Sequence, residues 1–219
     1  MKSRSVAVVP IREPENTKLR LSKLLSGEQR ASLSRAILVR VLNAVEESKI
    51  EEAVVVASSP QNLSEQRERF PKTTFIRESS HHGGVNCAMR DGMNYLLDKN
   101  GSSIQKTVLI PSDLPILQGK HLNNVLALLE NFDTLINPSA KLDGTALLAF
   151  RENKSIPLHY DDDSFNKHLA ELEKSGRLYR ILRWKAFSFD VDDEDDLRKL
   201  IRIYKSRSLS GLLQKLNSK

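Results

Sequence analysis

The feature that most constrains this chain is its alternation of short apolar runs with longer segments of helical periodicity. Val6-Ala-Val-Val-Pro10, Ala53–Ala57, Val108–Ile110 and Ala146–Phe150 have the length and composition of buried strands. Between them, apolar residues recur at helical spacing: Leu33, Ile37, Val41 and Val45, then Val85, Met89, Met93, Leu96 and Leu97, then Leu122, Val125, Leu126 and Leu129. Strands alternating with helices predict an α/β fold, a mostly parallel Rossmann-like sheet covered on both faces, in three layers. With 219 residues, 39% of them hydrophobic, and no linker or repeat, residues 1–219 read as a single domain.

Local signals fill in the rest. Ser26-Gly-Glu-Gln29 is a capping box, predicting a helix from there to about Glu47. A short helix is expected at about Gln61–Arg69, and strands at Thr73–Arg77, Lys106–Pro111 and Thr134–Asn137. Ser164 reads as the cap of a helix carrying Phe165, Leu169 and Leu172, and Phe187–Val191 as the last strand. A final helix places Leu197, Leu200, Ile201 and Tyr204 on one face, and a basic tail helix follows it.

Several function classes fall away. No apolar run approaches the ~18 residues of a membrane span, so no membrane partner is expected. Met-Lys-Ser-Arg-Ser runs straight into a strand-like segment, unlike a signal peptide. A single cysteine, Cys87, leaves no internal disulfide and no Cys-based zinc cluster, so a cytoplasmic protein is expected. His81-His82 are adjacent imidazoles that point apart, with no third ligand evident. The aromatic residues are not interleaved with basic ones, so no nucleic-acid partner is expected. Gly-x-Gly-x-x-Gly, Walker and Gly-x-Ser-x-Gly motifs are missing.

The formal charge of +6 says less than its distribution. Basic residues crowd the first 23 positions and the last 23, whereas acidic ones gather at Asp161–Asp163 and Asp190–Asp196. Ligands of open parallel sheets lie beyond the carboxyl ends of the strands. After the first strand come Pro10-Ile-Arg12, Lys18 and Arg20; after the third, Gly83-Gly84-Val-Asn86; after the fourth, Ser112-Asp113; and the last ends in Asp190-Val-Asp192. Each piece alone has an ordinary structural role: Asp113 as a turn former, Asp192 or Asp193 as a helix cap, Gly83-Gly84 as a turn, Lys18 and Arg20 as solvated charges. Together they suit a phosphorylated ligand held with a divalent metal.

In order along nearly the whole chain, these residues resemble the 2-phospho-L-lactate guanylyltransferases of coenzyme F-420 biosynthesis, within the glycosyltransferase-A-like nucleotidyltransferases. Val9-Pro-Ile-Arg12 and Lys18-Leu-Arg-Leu21 resemble the family's Pro-Val-Lys and Lys-x-Arg-Leu opening. Leu25-Ser-Gly-Glu-Gln-Arg30, Gly84-Val-Asn-Cys-Ala88 and Pro111-Ser-Asp-Leu-Pro115 are similar to its Leu-Ser-x-Glu-x-Arg, Gly-Leu-Asn-Ala-Ala and Pro-Ala/Ser-Asp-Leu-Pro. Ser164-Phe-x-x-His168 and Phe189-Asp-Val-Asp192 resemble its Ser-Phe-x-x-His and Leu-Asp-Val-Asp. Two departures stand out: Gly144-Thr145 replace a usual Thr-Asn, and Leu19 replaces a small hydroxyl residue.

The resemblance implies a nucleotide-diphospho-sugar-transferase type of fold. It also implies transfer of GMP from GTP to 2-phospho-L-lactate or phosphoenolpyruvate, releasing pyrophosphate. Under it, Lys18 and Asp113 are catalytic, and Mg2+ is held by Asp113, Asp190 and Asp192. Pro10, Arg12, Lys18, Arg20, Gly83, Gly84, Asn86 and Ser112 bind the nucleotide, and Gly144, Thr145 and Ser164 bind the acceptor. The basic last helix is a candidate homodimer surface, a lid over phosphates or solvated surface. A molybdenum-cofactor or sugar-phosphate nucleotidyltransferase would open with a Gly-rich loop, yet no glycine lies between Pro10 and Gly27. A non-catalytic nucleic-acid-binding module would leave the Asp190–Asp196 cluster unexplained.

Overall fold

The computed structural model describes residues 4–11, 18–58, 68–79, 84–151 and 156–206. Seven strands form one sheet: β1 (Arg4–Ile11), β2 (Glu52–Ala57), β3 (Thr73–Arg77), β4 (Ile104–Leu109), β5 (Thr134–Pro138), β6 (Thr145–Arg151) and β7 (Tyr179–Ile181). Their order is β3-β2-β1-β4-β6-β5-β7. Neighbours run parallel except that β6 is antiparallel to both β4 and β5, so the sheet is mostly parallel as expected. The helices are α1 (Gly27–Glu46), α2 (Gly84–Asn100), α3 (Gly119–Leu128), α4 (Ser164–Ser175), the single turn α5 (Lys185–Ser188) and α6 (Glu194–Ser206).

Period-two alternation along the central strands sends successive side chains to opposite faces. Ala7, Val9, Ala53 and Val55 pack against Leu38, Val41 and Val45 of α1 and Leu122 and Val125 of α3. Val6, Val8, Val54 and Val56 pack against Ala88, Met89 and Leu96 of α2 and Phe165 and Leu172 of α4. Helix α2 lies so close to the sheet that a Cβ on Gly92 would stand 2.4 Å from Val8 Cγ1. The Ser26 capping box starts α1 as expected, with Gln29 N–H on Ser26 Oγ and Ser26 N–H on Gln29 Oε1.

A third, smaller core matters most for function. Leu21, Leu33, Ile37, Phe189, Val191, Leu197, Leu200 and Tyr204 pack together, seating α6 against the start of α1. This packing corrects the expected last strand. Phe187–Val191 is a helical turn followed by an extended segment, because Phe189 and Val191 bury in the third core while β7 occupies the sheet edge beside β5. The three-residue β7 carries too little apolar alternation to have been predicted. Ser164 is not a cap either: Asp163, at φ 57°, precedes the helix without a side-chain cap bond, and the Ser164 hydroxyl is committed elsewhere. Asp193 caps α6, its Oδ1 accepting the Asp196 N–H at 3.0 Å. Residues 61–67 of the expected short helix and the basic tail beyond residue 206 lie outside the described residues.

Candidate active site

The carboxyl ends of β1 and β4 and the segment between α5 and α6 converge on one place. Lys18 precedes a 3-10 turn, Leu19–Leu21, whose Leu21 is anchored in the third core. Its backbone is left-handed at φ 54°, ψ 39°, which for a side-chain-bearing residue costs on the order of 1 kcal/mol. That strain is held by tertiary contacts: Lys18 Nζ donates to the Val191 carbonyl at 2.9 Å, tying the first loop to the Asp190–Asp192 segment. Two residues on, the Arg20 guanidinium faces Asp192 Oδ2 at 4.0 Å, both side chains substantially solvated.

The half-buried Asp190 carboxyl has its pKa pushed up to about 6 by burial first, then by the charges of Asp192 and Asp113; Lys18 pulls it partly back. Asp113 belongs to the half-buried Pro111–Asp113 turn after β4. That turn is clamped from behind by Leu114 and Leu117 in the main core and by the Tyr204 hydroxyl, which donates to the Pro115 carbonyl at 2.9 Å. Five sequence-predicted residues, Lys18, Arg20, Asp113, Asp190 and Asp192, therefore share one electrostatic neighbourhood. Pro10, half-buried, is the last residue but one of β1. Arg12 and Gly83, and with them His81-His82, lie outside the described residues.

The three carboxylates are hard oxygen donors with no thiol or imidazole among them, and their mutual repulsion with Asp190 leaves them short of positive charge. Among the described residues no three acidic, His or Cys groups close into a ready metal cage. A site of this kind suits Mg2+, which keeps several waters and takes substrate phosphate oxygens, with only one or two carboxylates.

A second cluster is held by hydrogen bonds between neutral groups. Because β6 runs antiparallel to β4, with Leu148 opposite Leu109, its first residue Thr145 lies beyond the carboxyl end of β4, toward the Pro111–Asp113 turn. Thr145 N–H donates to Ser164 Oγ at 2.8 Å, and the Thr145 hydroxyl lies 2.8 Å from His168 Nδ1. His168 Nε2 accepts the His159 N–H at 2.9 Å, and the next backbone N–H, of Tyr160, donates to Asn86 Oδ1 at 2.7 Å. The 159–160 backbone thus joins the amino-terminal turn of α2 to α4. Asn86, read from sequence as a nucleotide contact, has its side-chain oxygen occupied by this link. Gly144 is likewise engaged, its N–H on Ser139 Oγ and its carbonyl accepting the Ser139 N–H. Gly84, at φ 62°, opens α2 in a conformation that suits glycine. Ser112 is half-buried in the turn beside Asp113.

Sequence reasoning assigned no role to Tyr204 or His168 in this arrangement. Tyr204 looks like an ordinary core residue of an amphipathic helix. His168 carried a usable signal: it shares the helical face of Phe165 and Leu172, and a buried imidazole requires hydrogen-bond partners.

Residues 5–217 match the family described as guanylyl transferase CofC like. The chain is 29% identical over 193 residues to 2-phospho-L-lactate guanylyltransferase of Methanocaldococcus jannaschii, covering 88% of this chain and 80% of that one. It is 28% identical over 198 residues to phosphoenolpyruvate guanylyltransferase of Rubrobacter xylanophilus, covering 89% of this chain and 92% of that one. Among solved structures, a putative nucleotide-diphospho-sugar transferase from Desulfovibrio desulfuricans superposes with a TM-score of 0.78 at 20% identity, covering 97% of this chain and 95% of that one. This structural likeness shows the α/β fold type expected from sequence.

Proposed function

This chain belongs to the guanylyl transferase CofC-like family, and from that premise we propose the reaction it carries out: transfer of GMP from GTP to the phosphate of a phosphorylated three-carbon acid. The acceptor is 2-phospho-L-lactate or phosphoenolpyruvate, and the reaction is a step of coenzyme F-420 biosynthesis. Both acceptors are in the names of relatives at 29% and 28% identity. The observation that carries the reading is the joining of Lys18, Arg20, Asp113, Asp190 and Asp192 at the carboxyl end of the sheet.

In this reaction an oxygen of the acceptor phosphate forms a bond to the α-phosphorus of GTP, and the bond to the β-phosphate bridging oxygen breaks. A phosphate monoester has a second pKa of about 6, so near neutral pH it is already largely a dianion and needs no strong general base. The protein's task is to bring two anions together. Lys18, pre-bent by its left-handed backbone and fixed by the Val191 carbonyl, and Arg20 supply positive charge to the triphosphate. Asp113, Asp190 and Asp192 would hold Mg2+, which when bound supplies Lewis-acid neutralisation of the reacting phosphates. Thr145 and Ser164, in the neutral cluster, would receive the acceptor.

The test crosses the four nucleoside triphosphates with 2-phospholactate, phosphoenolpyruvate and 3-phosphoglycerate, and measures pyrophosphate with and without magnesium. GTP with one of the first two acids is expected to give the fastest magnesium-dependent release. Background rates for every pair would defeat the reading.

A further inference from the structure

Resting on the acceptor reading of Thr145, we infer that His168 is a positioning residue that commits the Thr145 hydroxyl to donate its proton to the acceptor's anionic group. The argument starts at the far side of the ring. Nε2 accepts the backbone N–H of His159 at 2.9 Å, so that nitrogen must present a lone pair. A neutral imidazole then carries its proton on Nδ1. An imidazolium would set two donors against each other at Nε2, and burial also pulls the His168 pKa down to about 4.

Nδ1–H therefore donates to Thr145 Oγ1 across 2.8 Å. The same oxygen receives the Ser164 hydroxyl at 3.3 Å, and Ser164 Oγ is in turn the acceptor of the Thr145 N–H. With its oxygen accepting from two side, Thr145 has one hydrogen-bonding capacity left, its own O–H. A threonine hydroxyl elsewhere rotates between donating and accepting; here it is fixed as a donor. A fixed donor at the carboxyl end of the β4–β6 pair suits a carboxylate or phosphate oxygen and offers nothing to a ligand N–H. Two of the residues read from sequence as acceptor contacts are thus given a direction by a third that was not.

The two ring nitrogens can be separated by substitution. His168→Asn places an amide N–H near the position of Nδ1 and drops the Nε2 acceptor, whereas His168→Gln keeps an acceptor near Nε2 and drops the Nδ1 donor. Steady-state kinetics on the full chain, varying GTP and phosphoacid separately, should show the acceptor KM of His168→Gln raised about tenfold, with His168→Asn within about threefold of the parent and GTP KM changed less than about twofold in both. Thr145→Val should match His168→Gln, Thr145→Ser should raise the acceptor KM several-fold less than Thr145→Val, and His168→Gln should add nothing on top of Thr145→Val. An acceptor KM for His168→Gln no higher than for His168→Asn overturns the inference, as does a parallel rise in both KM values. Should neither His168 variant fold, equal acceptor KM for Thr145→Val and Thr145→Ser overturns it instead. A parent that turns over no acceptor defeats the guanylyl-transfer reading and this inference together; an active parent with a harmless His168→Gln defeats the inference alone.

Discussion

The two halves of the candidate site are built on opposite electrostatic plans. Around Lys18 and Asp190, charges outnumber partners: three carboxylates approach one another, and Arg20 meets Asp192 only at 4.0 Å in solvent. Around Thr145 and His168, neutral groups bond one another at 2.8 to 3.3 Å, and the Thr145 O–H is left to donate. An under-neutralised cluster of carboxylates gains most from a ligand that brings positive charge. A satisfied network gains little on binding but is rigid beforehand, which lowers the ordering cost of holding a small acceptor. The first half is poised for charge, the second for orientation.

The sharpest way to break this contrast is to neutralise the charged half. Asp190→Asn removes one carboxylate from the crowd while keeping its shape. Pyrophosphate release is expected to fall by about two to three orders of magnitude, as when a preorganised transition-state contact is lost. The melting temperature should hold or rise, because a half-buried like-charge contact is relieved. Full turnover in Asp190→Asn would show that crowding here serves no ligand.

Acid should distinguish the halves by sign. His168 has a folded-state pKa depressed to about 4 from 6.5, so its contribution is present above pH 6.5 and is lost as pH falls toward 4. Between those values the unfolded chain binds the proton more readily, and by pH 5 the loss is about 2 kcal/mol. Asp190, raised to about 6 from 3.8, works the other way: over that window the folded protein takes up the proton first and gains stability. Chemical denaturation of the parent and of His168→Asn at pH 7 and pH 5 separates the two. The parent should lose about 2 kcal/mol more than the variant on acidification; identical losses would remove His168 from the network.

The smallest expected effect tests how the charged half is supported. Tyr204→Phe removes only the hydroxyl that donates to the Pro115 carbonyl behind Asp113. Leaving that buried carbonyl without its donor should cost about 1 kcal/mol in stability. Turnover should drop only severalfold, through looser placement of the Asp113 turn. A loss as large as that of Asp190→Asn would mean that Tyr204 acts on the chemistry more directly than through Pro115.

Legibility in the sequence followed the range of the forces involved. The central strands could be read because burial of both faces leaves unbroken apolar runs such as Val6–Val9, and α1 to α3 because burial of one face imposes a period of 3.6, as in Leu33–Val45. The carboxyl end of β4 was readable too, since Asp113 follows the apolar segment Val108–Ile110. Phe187–Val191 shows where period fails. Its alternating burial is real, but whether an extended segment joins a ladder depends on an available edge, and β7 holds that edge through pairing with β5. Ser164 failed for a related reason. A serine before a helix has a local use for its hydroxyl, and only the antiparallel return of β6 brings the competing Thr145 N–H within 2.8 Å.

By itself, then, the sequence determined the α/β architecture and the residue types that meet at the carboxyl end of the sheet, because periodicity and strand ends are written in neighbouring residues. Only the tertiary structure decided how those side chains are used. Lys18 reaches Val191 across 173 positions and Tyr204 reaches Pro115 across 89. His168 acquires its tautomer from a backbone N–H nine residues away that helical spacing does not supply. Protonation state, tautomer and hydrogen-bond direction are set by whatever lies within about 3 Å in space, and no local pattern encodes which distant residue that will be.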